Sequence, residues 1–95
     1  MERAFLEAEI VAAMRAHDKP RLAILRLVKN EIDMKQKESG STLAPEDVVA
    51  VVKKVLKQTA ETLEGSITAG TNPERTALLR EQVAILEAYL PAQVS

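Results

Sequence analysis

Pro45-Glu46-Asp47-Val48-Val49-Ala50-Val51-Val52-Lys53-Lys54 is the stretch on which the fold turns. Its valines argue for a strand, because β-branched side chains suit a pleated surface and lose χ1 freedom in a helix. The flanks argue the other way. Proline with two acids behind it is a helix opening: the missing N–H of Pro45 costs little in the first turn, and Glu46 and Asp47 meet the positive end of the helix dipole. Lys53-Lys54 follows at once, and Val48, Val52, Val55, Thr59 and Leu63 recur on one face at helical spacing. No second β-rich run lies nearby to pair with it. The stretch reads as a helix over 45–69, and the chain as all-α.

Upstream, residues 2–16 place Leu6, Ile10, Ala13 and Met14 on one stripe. Asp18 reads as an N-cap, with Pro20 where its lost donor matters least, so a second helix spans 19–38. Its inward positions are Leu22, Leu25, Val28 and Ile32, with Ile24 at the margin. Lys29 with Asp33, Glu31 with Lys35 and Asp33 with Lys37 are candidate i,i+4 pairs on its outer face. Gly40 suits the left-handed position after the helix. Downstream, Gly65 weakens the end of the third helix, and Ala69-Gly70-Thr71-Asn72-Pro73 is a break and restart. The fourth helix spans 73–90, with Leu79, Val83, Leu86 and Leu90 on one stripe flanked by Leu78, Ile85 and Tyr89. A band that wide points to a central position. The expectation is a four-helix domain with short loops.

Composition sets the material of the core. The apolar share is 46% but the aromatic share only 2%, so Phe5 and Tyr89 are the sole rings and the interior is aliphatic. Ninety-five residues make one small domain, for which docking to another domain or copy would help. The absence of cysteine excludes disulfides, thiolate nucleophiles and Cys-based zinc sites. No run reaches the ~20 apolar residues of a membrane span. The N-terminal acids Glu2 and Glu7 are wrong for a signal peptide, and a cytoplasmic location is expected.

A net charge of −1 hides a division along the chain. Residues 15–37 hold seven bases against three acids, and residues 61–95 five acids against two bases. Such asymmetry can orient a partner. Arg15, Lys19, Arg21, Arg26 and Lys29 cluster in the first turn and second helix, while Lys53, Lys54 and Lys57 punctuate the third. If both groups share a face they form a patch for phosphates, with no aromatic side chain on it to stack bases. That favours the backbone of a folded RNA over single strands.

Chemistry is harder to find. His17 is the one histidine and lacks the nucleophile or fellow ligands that catalysis or a metal would require. Glu46-Asp47 is explained by the dipole, and Glu61 with Glu64 needs no acid–base role. Ser39-Gly40-Ser41 lacks the lysine and preceding strand of a phosphate loop. No catalytic, cofactor or metal site is expected.

Several motifs together resemble the GatB/YqeY family. Met14 to Lys29 resembles its early segment, with Leu25-Arg26-Leu27 as the Leu-Arg-Leu pattern. Gly40 to Asp47 resembles its polar loop, Lys57-Gln58 with Glu61-Thr62 its Lys-Gln-Arg-x-Glu-Ser run, and Ala69-Gly70 its turn. The most specific match is Tyr89-Leu90-Pro91-Ala92-Gln93, which looks like the Tyr-Leu-Pro-x-Gln junction between the family's two domains. The chain departs at Thr59, where Arg is usual, at Thr62 in place of Ser, and at Gln82 in place of Glu.

The resemblance implies a YqeY-like N-terminal helical domain over 1–90, with 91–95 starting a linker to a C-terminal domain outside this sequence. Tyr89, Leu90 and Val94 become candidates for docking that domain or a protein partner. The family shares this architecture with the tail of one component of the tRNA-dependent amidotransferase, a tail that helps hold tRNA while other domains catalyse. That implies a non-catalytic accessory module, with tRNA or a tRNA-handling enzyme as partner. A helical protein-interaction module is the alternative, and a glutamine-using carbon–nitrogen ligase follows from the family name alone.

Overall fold

The computed structural model describes residues 2–90. Four helices follow in order: α1 Arg3–Arg15, α2 Lys19–Ser39, α3 Pro45–Ala69 and α4 Pro73–Tyr89. The valine-rich stretch is helical, and α3 runs through Gly65 to Ala69 as expected.

Local chemistry explains each boundary. The Asp18 carboxylate accepts from Arg21 N at 3.3 Å, and the Asn72 side chain accepts from Arg75 N at 3.0 Å, so the anticipated caps open α2 and α4. α2 and α3 stop at Gly40 and Gly70, with φ of 71° and 62°. The α1–α2 turn reaches the same geometry without glycine. His17 has φ 54°, its N–H donates to Met14 O at 3.2 Å, and Asp18 N–H donates to Ala13 O at 3.0 Å. That is the paired bonding of a Schellman motif, with an imidazole-bearing residue in the left-handed position. The residue after it is already the N-cap of α2, so one helix stops and the next starts without a linker. Leu90, which precedes a proline in the sequence, is extended at φ −85° and ψ 147°.

Burial organises the packing around α2. It contacts α1, α3 and α4, while α3 and α4 pair with each other. Leu6, Ile10, Ile24, Leu25, Val28, Ile32, Val48, Val51, Val52, Val55, Ile85 and Leu86 form one aliphatic cluster. The central helix is therefore α2, not α4. Ile24 is in the core rather than at its margin, and Leu22 only packs against it. Met14 points outward at 49% exposure, because α1 needs only Leu6, Ile10 and Ala13 to cover α2.

The core does not run the length of the molecule. It ends at Thr59 on α3 and Leu79 on α4, and no residue from 60 to 78 is buried. This α3–α4 tip is a two-helix arm, tied by a Ser66–Thr76 hydroxyl contact of 2.6 Å. The radius of gyration is 14.0 Å, above the ~12 Å of a compact chain this long.

The left-handed backbone at His17 is compatible with its side chain but not favoured by it. Replacing His17→Gly should raise unfolding stability by about 0.5–1 kcal/mol in chemical denaturation, since relief at Cβ exceeds the added freedom of the unfolded chain.

Candidate functional site: basic faces and the Tyr89 junction

The eight basic residues are distributed over several environments. Arg21 donates from Nε to Asp18 Oδ2 at 3.1 Å and is part of the α2 start. Lys29 pairs with Asp33 at 3.3 Å, the one i,i+4 pair of α2 that forms as expected. Lys54 reaches Glu31 at 3.3 Å across the α2–α3 contact. Glu31 is thereby engaged by α3 and not by Lys35. Asp33 is engaged by Arg3 of α1, with Oδ1 2.7 Å from Nη2, and not by Lys37. Arg15, Lys19, Arg26, Lys53 and Lys57 are exposed, and among the described residues none has a carboxylate within 4 Å.

The two basic groups are not one continuous patch. At about 100° per residue, Arg26 lies roughly 140° around α2 from Glu31, the residue that receives Lys54. Between them on the exposed side stand Ala23, Leu27, Asn30 and Met34, with Leu27 45% and Met34 56% accessible. Lys53 and Lys57 form a separate edge on the outward side of α3, followed one turn on by Glu61.

Arg3 had no sequence signal beyond its spacing to Glu7. It donates to Glu7 Oε1 at 3.1 Å and Gln36 Oε1 at 2.6 Å besides pairing with Asp33, and so joins α1 to the far end of α2. Gln36 Nε2 is buried there without a partner among the described residues.

Tyr89 holds the opposite end of the domain. Its hydroxyl accepts from Arg21 Nη1 at 2.7 Å and donates to Glu9 Oε1 at 2.9 Å. Its ring meets Phe5 edge-to-face, with centroids 5.9 Å apart and planes at 76°. The Arg21 guanidinium is 5.7 Å from the ring centroid, but its short bond is to the hydroxyl, so hydrogen bonding rather than the ring face carries that contact. α1, α2 and the end of α4 thus meet at one phenol. Burial, then the bond to Glu9, raise the Tyr89 pKa, while Arg21 opposes the shift. Leu90 packs against the core, half-buried, and Val94 and the expected linker 91–95 lie outside the described residues.

A second polar tie crosses nearby: buried Gln82 donates from Nε2 to Pro20 O at 3.3 Å. A carboxylate in that position would have no proton to give. Among the described residues, no group of three or more His, Asp or Glu side chains is placed to hold a metal ion. No described helix is long and apolar enough to cross a membrane.

The profile of the YqeY-like protein family matches residues 3–95. The chain belongs to that family. Comparison with curated proteins gives no match. In this member of the YqeY-like family the aromatic residue before the Leu-Pro pair is a clamp across three helices.

Two measurements check this geometry. With one Tyr and no Trp in the chain, tyrosinate absorbance reads Tyr89 alone, and its midpoint should exceed the ordinary value of about 10. Glu9→Gln should lower the midpoint and Arg21→Ala should raise it. Because the folded state holds this proton more firmly, the associated stability is complete below about pH 10 and is lost as pH rises through the folded midpoint. Separately, Gln82→Glu should destabilise by about 1–3 kcal/mol at neutral pH, with recovery in acid where the carboxyl regains a donor.

Proposed function

We propose that this domain is a non-catalytic accessory module that contacts the backbone of folded tRNA through the outward edge of α3. The observation that carries this reading is the placement of Lys53 and Lys57, both exposed and free of acid partners among the described residues, beside Lys54. Three ammonium groups on about one and a half helical turns suit adjacent phosphates. Membership of the YqeY-like family supports the accessory role, since the family resembles the tRNA-holding tail of an amidotransferase and kinship of fold supplies no chemistry of its own. The side-chain inventory supports it as well, with one histidine and no cysteine.

Shape recognition fits this surface better than base reading. Phe5 and Tyr89 pack on each other where α1 meets the end of α4, and α3 itself carries no aromatic side chain on which an unpaired base could stack. The neighbouring Glu61 limits how far the contact extends along α3.

Filter retention of folded tRNA should be strongest at low salt. With two or three phosphates neutralised, affinity falls roughly ten- to forty-fold between about 50 and 200 mM salt. Changing Lys53, Lys54 and Lys57 together to Glu should abolish retention without altering the helical circular dichroism. Absence of tRNA binding at low salt would defeat the reading, and retention unchanged in the triple variant would move the contact elsewhere.

A further inference from the structure

Among the described residues, the side of the α3–α4 pair that faces away from α2 has no helix over it. On α3, Leu56, Ala60, Leu63 and Ile67 recur four, three and four residues apart. They lie about a quarter-turn from the buried stripe of Val48, Val55 and Thr59, on the opposite flank from Lys54, which reaches α2. Leu56, Ala60 and Leu63 are half-buried and Ile67 is 47% exposed. On α4, Arg80 and Glu87 each stand two residues from a side chain bonded to α2, Gln82 and Tyr89, and so point about 160° away from it. A shallow groove lined by Ile67, Thr76, Ala77 and Arg80 places residues of both helices on this one side.

Four charges belong to this side: Lys53 and Glu64 at the edge of the α3 stripe, and Arg80 and Glu87 on α4 with Val83 and Ala84 between them. All four are exposed, and none has an opposite charge three or four residues along its own helix. Among the described residues none is in an ion pair. Their positions are related. The Ser66–Thr76 hydroxyl contact of 2.6 Å sets the register of the two antiparallel helices. Seven and a half residues along α3 from Ser66 is the midpoint of Lys53 and Glu64, and seven and a half along α4 from Thr76 is the midpoint of Arg80 and Glu87. Both midpoints therefore lie at one level, about 11 Å from the contact. A two-fold axis lying in the face at that level, perpendicular to the helices, sets α3 antiparallel on α3 of a second copy and α4 on its α4. One operation then brings each Lys53 against Glu64 and each Arg80 against Glu87 of the other copy, with Val83 over Ala84.

We infer that two copies of this chain pair face to face through the side of α3 and α4 turned away from α2, about that two-fold axis. Leu56, Ala60, Leu63 and Ile67 with Val83 and Ala84 supply the apolar contact, and the charge pairs fix register and orientation. The contact is isologous, so assembly stops at two copies. It covers the tip from 60 to 78, which has no buried residue of its own and whose turns otherwise gain little from tertiary packing. A face two helices wide and some 25 Å long buries roughly 1,000 Å² in total, the low end for a specific interface, so the pair is weak and concentration-dependent. Lys53 borders the contact while Lys54 and Lys57 stay outside it, and the pairing does not depend on the tRNA reading.

Sedimentation velocity on the whole chain, without RNA, tests this. The wild type should pass from monomer to dimer with rising concentration, form nothing larger, and pair more weakly at high salt. Arg80→Glu alone and Glu87→Arg alone should each weaken pairing at least about ten-fold, because the two-fold repeats each like-charge contact. Both change exposed side chains, so helical circular dichroism should be unaltered. Mixed together, the two variants should form a heterodimer, since every glutamate then faces an arginine. A chain carrying both substitutions should pair with itself for the same reason. A wild type that stays monomeric at every concentration overturns the inference, as does a dimer indifferent to Arg80→Glu. Failure of the two single variants to pair with each other also overturns it, as does assembly beyond two copies.

Discussion

The buried stripe of α2 is the constraint to which the other helices answer. Leu25, Val28 and Ile32 have no accessible surface, and covering them takes α1 on one flank, α3 on the other and α4 over the start of the helix. Aliphatic side chains of similar size fill such a centre without voids, and complete burial of each contributes about 1.5–3 kcal/mol. Because no ring occupies the interior, the only two aromatic residues are free to work at its rim. There, polar atoms must be paired, and the phenol of Tyr89 does so with both its donor and its acceptor capacity.

Order at the ends follows from local rules, and these were legible in the sequence. Asp18, Pro45, Asn72 and the glycines at 40 and 70 fixed where helices start and stop, since each acts through bonds to its own neighbours. Packing partners were less legible, because they depend on which helix stands beside which. Glu31 and Asp33 had plausible partners one turn along α2, yet each is taken by a cation from another helix. An i,i+4 pair contributes only a few tenths of a kcal/mol, so a neighbouring helix easily competes for the same carboxylate. The wide apolar band of α4 misled in the same way. Its breadth serves contact with α2 and α3 together and does not require the middle position.

His17 shows the limit of reading residue types. Its identity suggested a turn residue with no chemistry, but not the left-handed backbone, since that conformation is assigned to glycine or asparagine by default. Here the Schellman bonds and the immediately following cap over-determine the turn, and the side chain accepts the backbone it is given.

Position 59 ties the core to the question of what the surface contacts. Thr59 is buried at the limit of the core, with its hydroxyl donating to Val55 O at 2.8 Å. A bond to the fourth preceding carbonyl satisfies the hydroxyl within its own helix, so this residue asks nothing of a partner. An arginine there would have to run its stem out of the buried stripe of α3 before its charge reached water. With threonine in its place, α3 keeps its cations on the opposite side, at Lys53, Lys54 and Lys57, and gives its inward side wholly to packing. The separation has a physical consequence: charge at Lys53 and Lys57 can be changed without breaking an ion pair to another helix of the same chain, whereas Lys54 also ties α3 to Glu31 of α2. In this chain the buried stripe and the cations of α3 therefore occupy different faces of the same helix.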